Sequence, residues 1–216
     1  IWRRCRRPSK LRCAPRFNAA AWADVVIAYK FLARGARGPI TSWPWSVPTG
    51  GVPGRWVEAA GPVAVCRSGV HACRPRELAY WIHEELWRVE LDPGSPDGEW
   101  IEGPDCVVAR RARLLQRVDA WSEAGGAQRF AVAVRDHAAA QIASHPARAH
   151  LQGYVDDASW HVANGIDDSP ALAALCAAMA VAQAGVSTDP GEELEPAYRR
   201  ERAWQSNWIA TEMGLT

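Results

Sequence analysis

The chain has 216 residues, 48% of them hydrophobic and 23% charged, with a net charge of +1. That is ordinary globular usage, and it is enough chain to bury a core without staples. Six cysteines (5, 13, 66, 73, 106 and 176) are too few for a disulfide scaffold, and no run approaches the 18 apolar residues of a membrane span.

The net charge hides an asymmetry. Residues 1–16 hold seven basic side chains and no acid, while the other 200 residues hold 18 basic and 24 acidic ones, a net of −6. A basic arm can bind nucleic acid or an anionic membrane. This one has no apolar signal-peptide core and precedes an acidic remainder, so residues 1–24 read as a disordered extension. Neither a membrane nor a nucleic-acid partner is expected. Without a secretory signal the expected compartment is the cytoplasm, with reduced thiols. Arg outnumbers Lys 23 to 2, which reads as GC-rich coding bias. Twelve tryptophans are unusual for this length, and most are expected to serve core and interface packing.

The spacing predicts a strand-rich region over 25–118 and a helical region over 119–216 packed on it, an α+β fold with a small mixed or antiparallel sheet, whole or split. Val25–Leu32 is an apolar run with β-branched and aromatic residues, the pattern of a buried strand. Arg34–Pro39 is a turn cluster, and 40–62 is a long Pro- and Gly-rich loop. Trp43, Trp45 and Trp56 argue that this loop packs, and Arg55–Glu58 reads as a short strand within it. Val63–Cys66 reads as the next strand, Gly69 as a turn, and Val70–Cys73 as another strand. Pro75 suits the first position of a helix over 74–83. In Leu86–Leu91, Trp87, Val89 and Leu91 alternate with Arg88 and Glu90, a half-buried strand. Residues 93–98 form a turn, and strands follow near 100–102, 106–109 and 114–118. Four helices are expected: 127–144, 147–163, an Ala-rich one over 170–184, and 195–213. Gly165, Gly185 and Gly214 suit helix ends, and Ser169-Pro170 a helix start preceded by Asp167 and Asp168.

The segment Cys66-Arg-Ser-Gly-Val-His-Ala-Cys73 gathers two thiols and an imidazole within eight residues. On an extended strand His71 and Cys73 share one face with Cα atoms about 6–7 Å apart, so an imidazole could activate a thiol. Cys66, His71 and Cys73, with Cys106 or His83, are weak candidates for zinc. The seven-residue cysteine spacing is no knuckle, and no metal is expected. The plain alternative is a hydrogen-bonded histidine among small packing cysteines. Cys176 reads as a core residue. Asp157 and His161 stand four apart on a helix and read as a surface pair, and Asp136, His137 and His145 as solvated polar positions. No HExxH, GxGxxG, Walker A or Gly-x-Ser-x-Gly element occurs.

The runs Ala28–Leu32, Cys66–Pro75, Leu86–Leu91 and Glu201–Leu215 together resemble a family of actinobacterial proteins, over roughly residues 25–215. That family brings no assigned activity. The order of the strand motifs also distantly resembles ADP-ribosyltransferase-like folds, although Cys106–Leu115 lacks the late-strand glutamate of those enzymes. The resemblance implies an enzyme or enzyme-derived domain that binds a small molecule or nucleotide in a cleft near His71. Tyr29, His71 and Cys73 would be its candidate catalytic residues. Lys30 would supply a cation, and Trp81, Trp43 and Trp45 aromatic contact. The cofactor is left open. Two rival readings stand beside it. One is a non-catalytic scaffold, dimeric or not, with a Trp-rich partner surface. The other is a biosynthetic enzyme or a metal-binding protein using Cys66, His71 and Cys73.

Overall fold

The computed structural model describes residues 26–92, 100–165, 169–189, 191 and 193–215. The basic arm, the 93–98 turn and Asp167-Asp168 lie outside them. Strands β1 (Val26–Leu32), β2 (Val57–Glu58), β4 (Glu85–Asp92) and β7 (Arg111–Arg117) form one sheet in the order β1-β4-β7-β2. Strands β3 (Val70–Ala72), β5 (Ile101–Glu102) and β6 (Val107–Ala109) form a second in the order β3-β6-β5. Every pairing is antiparallel. The α+β class and the two-part sheet are as the sequence predicts.

The two sheets are not separate. β6 runs into β7 across Arg110 alone, and Tyr29 pairs with Cys73, just past β3, through N–H···O bonds of 2.8 and 2.7 Å. Pairing, with the chain itself as the link between β7 and β6, therefore runs from β1 through β4, β7, β6 and β3 back to β1. Inside this ring lie Ala28, Leu32, Val70, Val89, Val107 and Leu114, all buried. β4 is half-buried as its alternation predicts, with Trp87, Val89 and Leu91 inward and Arg88 exposed.

The strands end at Arg117, and helices follow from Asp119: α1 (Asp119–Ser122), α2 (Gly126–Ile142), α3 (Arg148–Asn164), α4 (Ser169–Thr188) and α5 (Leu194–Glu212). Their core includes Tyr29, Phe31 and Leu86 from the outer face of the ring. A file of aromatic rings, Phe31, Trp121, Phe130 and Trp208, at centroid spacings of 5.3, 5.7 and 5.5 Å, ties strand to helix. The Ala-rich α4 is buried on the faces carrying Ala173, Ala174, Ala177 and Ala178, because small side chains let α2, α3 and α5 close on it. By length and composition alone α4 is also apolar enough to cross a membrane.

Four local expectations are corrected. Residues 63–66 form a turn with one Ala64–Ser68 bridge, not a strand, because Cys66 adopts a left-handed φ of 59° that ends extended chain. The helix over 74–83 is a single 3-10 helix, Pro75–Tyr80, whose first turn is fixed by Glu77 accepting from the Arg74 N–H at 2.8 Å. Gly185 ends nothing: α4 runs through it to Thr188. The buried Ser169 hydroxyl has no hydrogen-bond partner among the described residues, so it caps none of their N–H groups. Gly165 and Gly214 do take the left-handed conformation that closes α3 and follows α5.

Candidate ligand site around Lys30

Strand alternation decides what β1 presents. Ala28, Lys30 and Leu32 point into the ring, whereas Tyr29 and Phe31 point to the helices. Lys30 is thus a cation on an otherwise apolar inner face. Its Nζ donates to the His71 carbonyl at 2.6 Å and lies 5.5 Å from the centre of the Trp45 ring. Its cross-strand neighbour is Trp87. Burial pulls the Lys30 amine from 10.5 down to about 8, against the opposing pull of the Cys73 and Cys106 sulfurs. Among the described residues no carboxylate pairs with it.

His71 supplies its carbonyl to this site, but its ring does something else. Nε2 accepts the Cys66 N–H at 3.0 Å, so Nδ1 carries the proton and donates to the Gly69 carbonyl at 3.2 Å. The ring clips the 64–69 turn and holds Cys66 in its left-handed conformation. Burial lowers the His71 pKa, which keeps the ring neutral. His71→Ala is therefore expected to lower stability by about 1–2 kcal/mol in chemical denaturation, with Cys66→Gly in the same background recovering part of the loss.

Cys73 is buried, and its Sγ donates to the Tyr29 carbonyl at 3.3 Å. Burial pushes its thiol far above the ordinary range, so no thiolate stands ready at neutral pH. Cys106 is likewise pushed up, to about 11. Cys66 is exposed. Among the described residues no three His, Cys, Asp or Glu side chains gather as they would around a metal ion. His83 Nδ1 is engaged in accepting the Glu84 N–H at 3.0 Å.

The predicted aromatic residues divide between two faces. Trp45 joins Lys30. Trp81 packs against the helical core with its indole N–H on the Asp105 carbonyl at 2.5 Å, and Trp43 is 60% exposed. Tyr29 lines a separate pocket of about 330 Å³ with Arg88, Met213 and Leu215. An open groove of about 700 Å³ is lined by Trp87, the cross-strand neighbour of Lys30, together with Ala36, Val47, Glu85, Arg117 and Asp119. Glu85 fixes that wall by accepting from the Gly35 and Ala36 N–H groups and the Trp87 indole at 2.9–3.0 Å.

Sequence reasoning missed a second polar cluster. The buried side of α5 carries Glu201, Arg202, Gln205 and Ser206. Glu201 Oε2 is 3.2 Å from His137 Nε2, and His137 stacks on Trp204 at 3.8 Å. Gln205 donates to Glu201 Oε1 and to the Ala174 carbonyl. Arg202 donates to Gln205 and to the Ala79 carbonyl, and lies between the Tyr80 and Tyr198 rings. Burial raises Glu201 from 4.5 to about 7 and lowers His137. His137 is therefore no solvated surface residue. The buried positions 201, 202, 205 and 206 recur at helical spacing, but all are polar, so a search for apolar stripes passes over them. In the other predicted pair no hydrogen bond joins Asp157 to His161, whose Nδ1 is buried and unpartnered among the described residues.

No family model, curated protein or solved structure matches this chain.

Proposed function

We propose that this protein binds a small anionic molecule at Lys30, with Trp45 as the aromatic wall and the Trp87 groove as the approach. One observation carries the reading: a partly buried ammonium is kept on an apolar sheet face, and among the described residues no carboxylate pairs with it. An uncompensated cation in such a place opposes folding, and sites of this kind are enriched where a ligand supplies the missing charge. A phosphate or carboxylate would restore Lys30 to full protonation and fill the role that no acid fills.

The two-part antiparallel sheet supports a nucleotide among the candidates, in line with the distant ADP-ribosyltransferase-like resemblance. The interior of the ring is packed, so the ligand would sit at the Lys30 edge and not between the half-sheets. Tyr29 and Trp81, on the opposite face, take no part.

The test is thermal denaturation with a panel of nucleotides, NAD included, sugar phosphates and dicarboxylates. At least one anion is expected to raise Tm at a ligand concentration well above its Kd, and Lys30→Met should abolish that gain. Equal response of the wild type and the variant would sink the proposal, as would no response to any anion.

A further inference from the structure

Four of the eight large hydrophobic side chains exposed among the described residues stand on one short loop: Ile40 (92% exposed), Trp43 (60%), Val47 (48%) and Val52 (66%). The other four, Trp100, Trp160, Leu175 and Leu194, are scattered. Scattered apolar residues are normal on any surface; a concentration on one loop marks an interaction site.

The loop is a built structure. Gly38 N–H bonds to the Trp43 carbonyl at 2.9 Å, Trp45 N–H to the Ala36 carbonyl at 2.9 Å, and Thr49 and Val52 exchange two bonds of 3.0 Å. Gly54 N–H bonds to the Leu114 carbonyl at 2.9 Å, and a Cβ at Gly54 would fall 1.9 Å from the Ser46 carbonyl oxygen, so only glycine fits this anchor. Trp45 is buried in the ring core while its neighbour Trp43 faces out. The backbone thus holds the apolar tips in water instead of folding them away.

Along the loop's own sequence the charge has one sign, and the acids that approach it are Glu84 and Glu85 at 34–36 and Asp119 in the groove that Val47 lines. From Ala33 to Val57 the chain carries three arginines, Arg34, Arg37 and Arg55, and no acid, although the protein beyond its basic arm is acidic. All three are exposed. Arg34 meets Glu84, but Arg37 and Arg55 pair with no carboxylate among the described residues. Aliphatic tips, an exposed indole and surrounding arginines are the chemistry of shallow insertion into an anionic lipid surface. The apolar tips enter the acyl boundary, the indole sits among the headgroups, and the guanidiniums meet lipid phosphates. A second copy of this chain would bring the same Arg37 and Arg55 to the contact and so meets like charge.

We infer that the 38–54 loop docks the protein peripherally on an anionic membrane surface, with Ile40 and Trp43 as its leading side chains. Docking of this kind needs no spanning helix, and its leading side chains, Ile40 and Trp43, are not among those of the Lys30 site, although the same loop carries Trp45 and Val47.

The test is co-sedimentation of the full chain with vesicles of phosphatidylcholine alone and of phosphatidylcholine with phosphatidylglycerol in about equal parts. Binding to the anionic vesicles is expected to be at least about tenfold tighter and to weaken as salt rises. Ile40→Asp and Trp43→Asp, both at exposed positions, should each weaken it about tenfold with circular dichroism and Tm unchanged. Absence of binding to anionic vesicles at low salt would overturn the proposal, as would binding untouched by both substitutions. Light scattering provides a further check: a dimer that dissociates on Trp43→Asp would assign the loop to a second copy and overturn the lipid assignment.

Discussion

Lys30→Met is expected to stabilise the protein at pH 7 by about 2–3 kcal/mol, or roughly 5–10 °C in Tm, while removing any response to anionic ligands. The folded amine titrates at about 8 and the unfolded one at 10.5, so the unfolded chain holds the proton more tightly. The penalty is full below pH 8 and fades as pH rises toward 10.5, where the variant and the wild type should converge. Methionine, unbranched and one atom shorter than lysine, keeps the apolar contact with Trp45 but gives up the bond to the His71 carbonyl, which is why the expected gain is less than the full shift implies. Thermal melts at pH 7 and pH 10 check it. A variant less stable than the wild type at pH 7 would mean that Lys30 is there for the fold alone.

The second large effect has the opposite pH dependence. Glu201 titrates at about 7 folded and 4.5 unfolded, so the folded state binds the extra proton. Stability from this group is whole below pH 4.5, declines as pH rises, and is lost above pH 7. Glu201→Gln keeps the shape and the contacts with Gln205 and His137 but cannot ionise. It should leave stability at pH 4 unchanged and add about 2–3 kcal/mol at pH 8, read by urea denaturation at the two pH values. Arg202, the nearest cation, already bonds Gln205 and the Ala79 carbonyl, and His137 is itself held neutral by burial. Neither therefore offsets the buried carboxylate in full. Since Lys30 weighs on the fold below pH 8 and Glu201 above pH 7, both do so between the two values. The contribution of this pair is least favourable in that interval, and a protein carrying both substitutions should show a flatter pH profile there.

Much of the fold was legible because periodicity is local. The alternation of Trp87, Val89 and Leu91 announced β4, and the β-branched run from Val26 announced β1. The four long helices fall within a few residues of their expected spans, apart from α4, which runs past Gly185. What was not legible depended on partners far along the chain. Lys30 was a candidate from its motif, but that it faces Trp45 while Tyr29 faces the helical core follows from which side of β1 the helices cover. His71 drew attention as a base, yet its two nitrogens are committed to Cys66 and Gly69 by a turn that Cys66, in a glycine-like conformation, makes against its own propensity. Glu201 and His137 lie 64 residues apart, on different helices, and no spacing rule connects them.

The bonds that lock α5 onto the 3-10 helix join residues 127 positions apart, Ala79 to Ser206, and 123 apart, Arg202 to Ala79. On the ribosome the whole strand region emerges before any of α5 exists. Until then Phe130 lacks its Trp208 neighbour, and the 3-10 helix lacks its two long-range bonds. α5 must be made before this molecule can close, which makes the stage before it the one at which a chaperone has most to shield.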